Sequence, residues 1–421
     1  MKFTDLHIVE PILRSLEEEG YTEPTEIQIQ AIPLLLEGKD LLGSAQTGTG
    51  KTAAFAVPTL QRLVASKQIN GAQFIRALIL APTRELAAQI SDSFKTYGKH
   101  LGLRTTVVFG GVSKSPQIHN LKSKCDILVA TPGRLLDLMS MGMVDIGAIE
   151  IFILDEADQM LDMGFLKDIK RIIAKIPQKR QTMMFSATMP NEIEQLANNL
   201  LTNPIRLAIT PVEKPIETID QSIYFVGKKQ KVDLLIDLLK NQKIKSVLVF
   251  TKTKHGANKL TEKLQEANFG VGVIHGNKSQ PARVQALNNF KNKKLRILVA
   301  TDIAARGIDI DRLTHVVNYD LPQMPELYLH RMGRTGRAGF SGTLISFCSQ
   351  EEMPLLSDIQ WHIAMKIPVV KDHPYAQSFQ TVDLDGPEFR NSSPARPNTN
   401  GSRPANRSHS RRTGNRIYRP R

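Results

Sequence analysis

The pentapeptide Ile127-Leu128-Val129-Ala130-Thr131 recurs unchanged as Ile297-Leu298-Val299-Ala300-Thr301. Ahead of the first copy stands Val108-Phe109-Gly110-Gly111, and ahead of the second the parallel Val273-Ile274-His275-Gly276. A single match between apolar segments would be weak. Several in the same order describe two units of related fold. Each copy belongs to a series of short β-branched apolar runs separated by longer amphipathic stretches, the pattern of a parallel sheet with crossover helices. The runs fall at 77–80, 106–109, 126–129, 151–154 and 182–185, and again at 247–250, 272–274, 296–299, 316–319 and 343–346. Pro211 and Pro215 interrupt both helix and strand patterns, so a linker is expected over 209–217, between units at 1–208 and 218–365. Residues 366–421 form a C-terminal extension.

A chain of 421 residues is longer than one hydrophobic core usually supports, which agrees with two units. Its net charge of +14 is unevenly spread. Beyond Glu388 no acidic residue occurs while nine arginines do, which leaves +5 for the rest. The segment from about 389 is rich in Ser, Asn, Pro, Gly and Arg, cannot bury enough apolar surface to order itself, and is expected to be a disordered basic tail that contacts a polyanion. No apolar run reaches the roughly 18 residues of a membrane span. Met1–His7 shows no basic-then-apolar leader, and Cys125 and Cys348 cannot build a disulfide framework or a zinc site, so a reducing cytoplasmic location is expected.

The chemistry-bearing residues begin with Ala45-Gln46-Thr47-Gly48-Thr49-Gly50-Lys51-Thr52, between an apolar segment at 40–42 and a helix-like stretch from Ala53. Strand, glycine-rich loop and helix in that order let backbone N–H groups and the helix N-terminus converge on phosphate oxygens. Lys51 would reach the β- and γ-phosphates and Thr52 would ligate Mg²⁺, although Ala45 stands where the strict pattern has glycine. Asp155-Glu156-Ala157-Asp158 follows the apolar run 151–154, so its carboxylates emerge at the carboxyl end of a buried strand. There Asp155 suits Mg²⁺ coordination and Glu156 suits a base that orients an attacking water.

With these motifs in place, residues 1–365 resemble a DEAD-box ATP-dependent RNA helicase, of a bacterial type similar to the RhlE group. The resemblance implies an α/β fold of two tandem RecA-like domains with parallel sheets flanked by helices, ATP in the cleft between them and single-stranded RNA across both. It implies adenine recognition by Gln28 within Gly20-Tyr21-Thr22-Glu23-Pro24-Thr25-Glu26-Ile27-Gln28, with Tyr21 part of the element and Phe3 packing on the base. An amide offers a donor and an acceptor together, which fits adenine and mismatches guanine. Asp309 would approach the ribose. Arg84, Gly111, Thr131 and Arg134 match the RNA-facing elements of the first domain, with 135–138 as a strand-bending wedge. Gly276, Arg283 and Thr301 match those of the second. Such contacts hold phosphate and sugar and read little sequence.

The same resemblance assigns Asp158, Ser186, Thr188, Asp302 and His330 to the coupling of hydrolysis with strand separation. Arg334 and Arg337 become arginine fingers for the γ-phosphate, worth about 10³–10⁵ in rate. The expected activity is RNA-stimulated cleavage of the ATP β–γ phosphoanhydride with Mg²⁺, coupled by domain closure to unwinding of short duplexes or remodelling of ribonucleoprotein. A DNA translocase on the same paired domains and a slow ATP-dependent RNA clamp are the alternatives. A protein partner for the tail also stays open.

Overall fold

Strands buried on both faces organise the molecule, seen in a computed structural model that describes residues 1–44, 49–66, 74–123, 125–208, 219–242, 244–305, 313–336 and 342–379. The first half contains β1 (Leu41–Ser44), β2 (Ala77–Leu80), β3 (Thr105–Val108), β4 (Ile127–Ala130), β5 (Ile151–Leu154), β6 (Gln181–Ser186) and β7 (Ile205–Ala208). The second contains β8 (Ile219–Phe225), β9 (Val247–Phe250), β10 (Val271–Ile274), β11 (Ile297–Ala300), β12 (His315–Asn318), β13 (Gly342–Cys348) and β14 (Val369–Val370).

The first sheet runs β3-β4-β2-β5-β6-β1-β7 and the second β10-β11-β9-β12-β13-β8-β14. Adding seven to each strand number of the first gives the second, so the pentapeptide repeat marks equivalent strands, β4 and β11. Every pairing in both sheets is parallel. Each is an α/β layer of the RecA-like kind. The chain beyond residue 365 continues in the second sheet, because β14 pairs with β8 at Val369↔Ile223 and Val370↔Tyr224.

A strand's side chains alternate between faces, and here both faces are apolar. Ile79, Val129, Ile153 and Met183 point into the layer packed by helices 26–36, 51–65 and 84–97. Their neighbours Leu78, Leu128, Phe152 and Met184 point into the opposite layer, with helices 132–140, 166–173 and 191–200. The second sheet repeats this with Leu248 and Leu298 on one side and Val249 and Val299 on the other. Burial on both faces fixes the register, since a one-residue slip would exchange the two cores.

The carboxyl ends of these strands carry the loops that matter. Gly50 follows β1, Thr83 and Arg84 follow β2, Thr131 follows β4, Asp155 follows β5 and Thr301 follows β11. Among the described residues no helix is long and apolar enough to cross a membrane. Both cysteines are free and buried. The expected linker at 209–217 and the tail from 389 lie outside the described residues.

Candidate active site and nucleic-acid interface

Gly50, with φ of +89°, starts helix 51–65, and a side chain there would strike Gln28 and Thr25. Only glycine takes that backbone without cost and lets the loop lie against helix 26–36. Gln28 Nε2 donates to the Gly50 carbonyl at 3.1 Å, while its Oε1 accepts from Thr25 N at 2.9 Å. Thr25 Oγ1 donates to the Thr49 carbonyl at 2.9 Å. The upstream element thus grips the phosphate loop through its backbone. Gln28 is 1% exposed, and its amide is engaged with protein at both ends. Phe3 is likewise buried, its ring edge-on to Tyr21 at 6.5 Å, and Tyr21 in turn meets Tyr97 hydroxyl to hydroxyl at 3.1 Å. Tyr21 is the exposed member of this aromatic series. Ala45, Gln46, Thr47, Gly48, Asp309 and Arg337 lie outside the described residues.

Lys51 and Thr52 open the helix after Gly50, where the N-terminal partial charge adds to any phosphate site. The Lys51 ammonium lies 4.0 Å from Asp155 Oδ1, and both side chains are buried. Among the described residues Asp155 Oδ1 has no hydrogen-bond partner. Glu156 adopts the left-handed conformation, φ +54°, at the start of helix 157–162. That conformation is uncommon for a residue with a Cβ, and it turns consecutive carboxylates off the strand end in different directions. Burial pushes both carboxyls above the ordinary range. Lys51 opposes the shift at both, and Arg334 opposes it at Glu156. A buried, unpartnered carboxylate oxygen and a threonine hydroxyl suit a hydrated divalent cation, while the ammonium and the helix N-terminus suit the phosphate oxygens beside it. Among the described residues no group of three His, Cys, Asp or Glu is placed to hold a metal by itself.

Asp158, at the edge of this centre, is bonded to the loop after β6. Its Oδ2 accepts from Ala187 N (3.1 Å), Thr188 N (2.9 Å) and Thr188 Oγ1 (3.0 Å). Ser186 Oγ accepts from Asp158 N at 3.2 Å and donates to the Thr188 carbonyl at 2.8 Å. The acidic turn and the loop after β6 are therefore one hydrogen-bonded unit.

The second half supplies the far wall. Lys51, Glu156, Asp158 and Thr188 line a cleft of about 500 Å³ together with Leu327, His330 and Arg334. Leu327, His330 and Arg334 recur at helical spacing along the helix of residues 325–332 and the turn after it. Tyr328, Arg331 and Met332 occupy its other face and are buried. Asp302 is held inside the second half: Arg331 Nε and Nη2 donate to its two oxygens at 2.6 and 2.8 Å. Arg331 Nη1 also donates to Asn318 Oδ1 and the Asp320 carbonyl, and its guanidinium lies 4.8 Å from the Phe250 ring centre.

Along another edge, the Arg84 guanidinium spreads over Gly111 and fills the space a side chain there would need, and Gly111 has a left-handed φ of +73°. Arg134 Nη2 donates to the Val112 carbonyl at 3.0 Å, and Nε lies 3.5 Å from Asp137 Oδ2. Thr131 caps the same helix, 132–140. Gly276 is exposed with open space around it, and Thr301 is half-buried before helix 302–305. Arg283 reaches Glu85, not open solvent: its Nη2 is 3.0 Å from Glu85 Oε2. Gln280 Nε2 donates to Glu85 Oε1 at 2.9 Å.

Comparison with known proteins decides the family. Residues 25–196 match the DEAD/DEAH box helicase family, and residues 230–339 match the helicase conserved C-terminal domain. The CshA DEAD-box ATP-dependent RNA helicase of Streptococcus pneumoniae serotype 4 is 44% identical over 381 residues, 90% of this chain and 72% of that protein. The chain belongs to the DEAD-box ATP-dependent RNA helicase family. The ATP-dependent RNA helicase DbpA of Bacillus subtilis is 41% identical over 387 residues, 92% of this chain and 79% of that one. Saccharomyces cerevisiae Dbp5, solved bound to RNA and ADP BeF3, superposes with a TM-score of 0.77 at 31% identity, covering 88% of this chain and 95% of Dbp5.

In this DEAD-box helicase two residues that sequence reasoning passed over, Glu85 and Arg331, are buried with charged partners. Glu85 stands inside Pro82-Thr83-Arg84-Glu85-Leu86, and its burial at 7% exposure is unusual for a carboxylate at a helix start. Arg331 sits within 330–337, where the arginines at 334 and 337 draw attention. The helical period separates them: Arg331 shares a face with Tyr328 and Met332, while Arg334 shares one with Leu327 and His330.

Proposed function

We propose that this RNA-dependent ATPase hydrolyses ATP with Lys51, Glu156 and Arg334 acting in one cleft, and that RNA lies along Arg84, Gly111, Thr131, Arg134, Gly276 and Thr301. What supports the reading most is that Lys51 and Glu156 from the first half and Arg334 from the second line the same cleft.

In this scheme the loop ending at Gly50 receives the phosphates on backbone N–H groups, and the Lys51 ammonium holds charge at their oxygens. Thr52 and Asp155 would hold Mg²⁺, which when bound neutralises phosphate charge. Glu156 orients and deprotonates the attacking water, for which its buried, raised basicity is suited. Arg334 and Arg337 stabilise charge on the transferring phosphoryl group, so turnover depends on the two halves meeting. Asp158, bonded to Thr188 and Ala187, passes the state of the cleft to the loop after β6. His330 reads it from the second half, and Asp302 acts indirectly by holding Arg331. Gln28 senses the nucleotide through its hold on the phosphate loop. Its adenine contact, with Phe3 and Tyr21 nearby and Asp309 at the ribose, is part of this proposal.

Helix 132–140, with Leu135–Leu138, would bend one RNA strand and so part short duplexes or dislodge bound protein. The nine tail arginines would tether RNA without reading sequence. A cytoplasmic setting, the unit bounds 1–208 and 218–365, and a RhlE-like placement belong to the same proposal. The relatives compared above carry the names CshA and DbpA.

The test is steady-state phosphate release with ATP or GTP, alone, with single-stranded RNA, and with matched DNA, for the wild type and Glu156→Gln. ATP-specific turnover raised by RNA and lost in the variant supports the proposal. Equal stimulation by DNA would favour a translocase. Tight ATP-dependent RNA binding with negligible turnover would make the protein a clamp.

A further inference from the structure

We propose that a groove between the two halves, beside the RNA path, takes one unstacked nucleobase of the bound RNA. Base and closure would then be linked. The inference rests on the RNA path proposed above and adds a base subsite to contacts that otherwise hold only phosphate and sugar.

The groove encloses about 620 Å³. Phe109 and Val112 of the first half form one wall, and Pro281 and Val284 of the second form the other. Gln280, Gln285, Asn288 and Asn289 complete it, so all eight lining residues are uncharged. Val284 is 44% exposed although it is a β-branched apolar side chain on a helix. Two apolar faces with an amide rim suit a flat, uncharged heterocycle that stacks on its faces and hydrogen-bonds at its edge. They do not suit a phosphate, which would meet no cation there.

Position argues for RNA as the source. Phe109 and Val112 flank Gly110-Gly111, and Arg84 spreads over Gly111. Val112 also accepts from Arg134 through its carbonyl. On the other wall Gln280 is bonded to Glu85, the neighbour of Arg84. The groove is thus continuous with the residues expected to hold phosphates in the first half. A backbone held at those points would bring its bases within reach of Phe109 and Val284. Because the walls belong to different halves, the groove exists only in the closed arrangement. Its occupant binds that arrangement alone and shifts the balance toward it. RNAs that can offer a free base there would stimulate hydrolysis more than RNAs that cannot.

The experiment uses the full chain with a set of short single-stranded RNAs, each carrying one abasic position, with affinity measured in the presence of a non-hydrolysable ATP analogue. Stacking of one base on an aromatic residue predicts a loss of about five-fold or more at one register and little elsewhere. Val284→Asp places a charge in the groove and should abolish that dependence on register while leaving the affinity for the abasic RNA within about two-fold. Asn288→Ala, a milder change on an exposed helix face, should reduce the dependence partway. A flat abasic profile in the wild type would overturn the subsite, as would a profile unchanged in Val284→Asp. Should RNA fail to bind or to stimulate the wild type at all, the RNA path itself falls, a distinct outcome that removes the subsite with it.

Discussion

Glu85 of the first half is bonded to both Arg283 and Gln280 of the second: its Oε2 lies 3.0 Å from Arg283 Nη2, and its Oε1 accepts from Gln280 Nε2 at 2.9 Å. All three residues are at most 8% exposed. Burial lowers the Arg283 pKa and the Glu85 charge offsets this, so each group needs the other once water is gone. This clasp lies away from the hydrolytic cleft, yet it forms only when the halves meet. Glu85→Ala is expected to leave Arg283 and Gln280 buried without their acceptor, at a cost to the closed form of about 1–3 kcal/mol. RNA affinity in the presence of an ATP analogue should fall by roughly 5–100-fold, while thermal unfolding changes little. A cycle with Arg283→Ala should show strong non-additivity, and additive losses would mean that the two residues act separately.

Asp158 ties the acidic turn to the loop after β6 through three bonds to a single carboxylate oxygen. In Asp158→Asn the charge is lost, and bonds to charged acceptors contribute about 1.5–3 kcal/mol each. The carboxylates of Asp155 and Glu156 stay in place. Hydrolysis is therefore expected to persist, while strand separation per ATP falls at least several-fold. Parallel assays of phosphate release and duplex unwinding check this. Equal losses in both would show that Asp158 serves the chemistry and not its transmission.

Gly111 lies under the Arg84 guanidinium in a left-handed conformation. Gly111→Ala would displace Arg84 and strain the turn, while the hydrolytic residues, on other loops, remain as they are. RNA binding should weaken about ten-fold, with ATPase activity in the absence of RNA unchanged, a split that filter binding and phosphate release resolve. Because Arg84 is expected to hold one phosphate, the slope of log affinity against log salt should also fall by about 0.7.

The repeat made the architecture readable, because Ile127–Thr131 and Ile297–Thr301 sit on equivalent strands of sheets with the same order. Strand β8 escaped notice for a physical reason. Its buried face includes Gln221, which accepts from the Tyr328 hydroxyl at 2.8 Å, so a satisfied polar residue interrupts the apolar alternation. Strand β7, half exposed at the sheet edge, carries little hydrophobic signal. At the site, motif spacing located Lys51, Asp155 and Glu156, but spacing cannot say what a side chain touches. Asp302 goes to Arg331 and Gln28 to the Gly50 carbonyl, partners set by tertiary packing. Glu85 could have been found only by asking where the helix of residues 84–97 meets the second half.

Lys231 is 2% exposed, and its ammonium donates to Glu352 Oε2 at 2.7 Å and the Tyr319 carbonyl at 2.8 Å, with Asp320 Oδ1 at 3.5 Å. Glu352 also accepts from Ser349 N and Leu321 N, which joins the start of the final helix to the end of β12. Burial raises the Glu352 pKa, but the Lys231 charge and these bonds outweigh it and hold it below its ordinary value. A carboxylate depressed in this way adds stability that is present above its unfolded pKa and is lost as pH falls through the folded one. Lys231→Met removes the cation and leaves two partly buried carboxylates facing each other, so the fold should lose about 3–5 kcal/mol near neutral pH. As pH falls below the ordinary carboxylate range and Glu352 of the wild type takes up a proton, the gap should narrow. Chemical denaturation of both proteins across pH 3–8 measures it. A gap that stayed constant over that range would mean that Lys231 contributes packing alone.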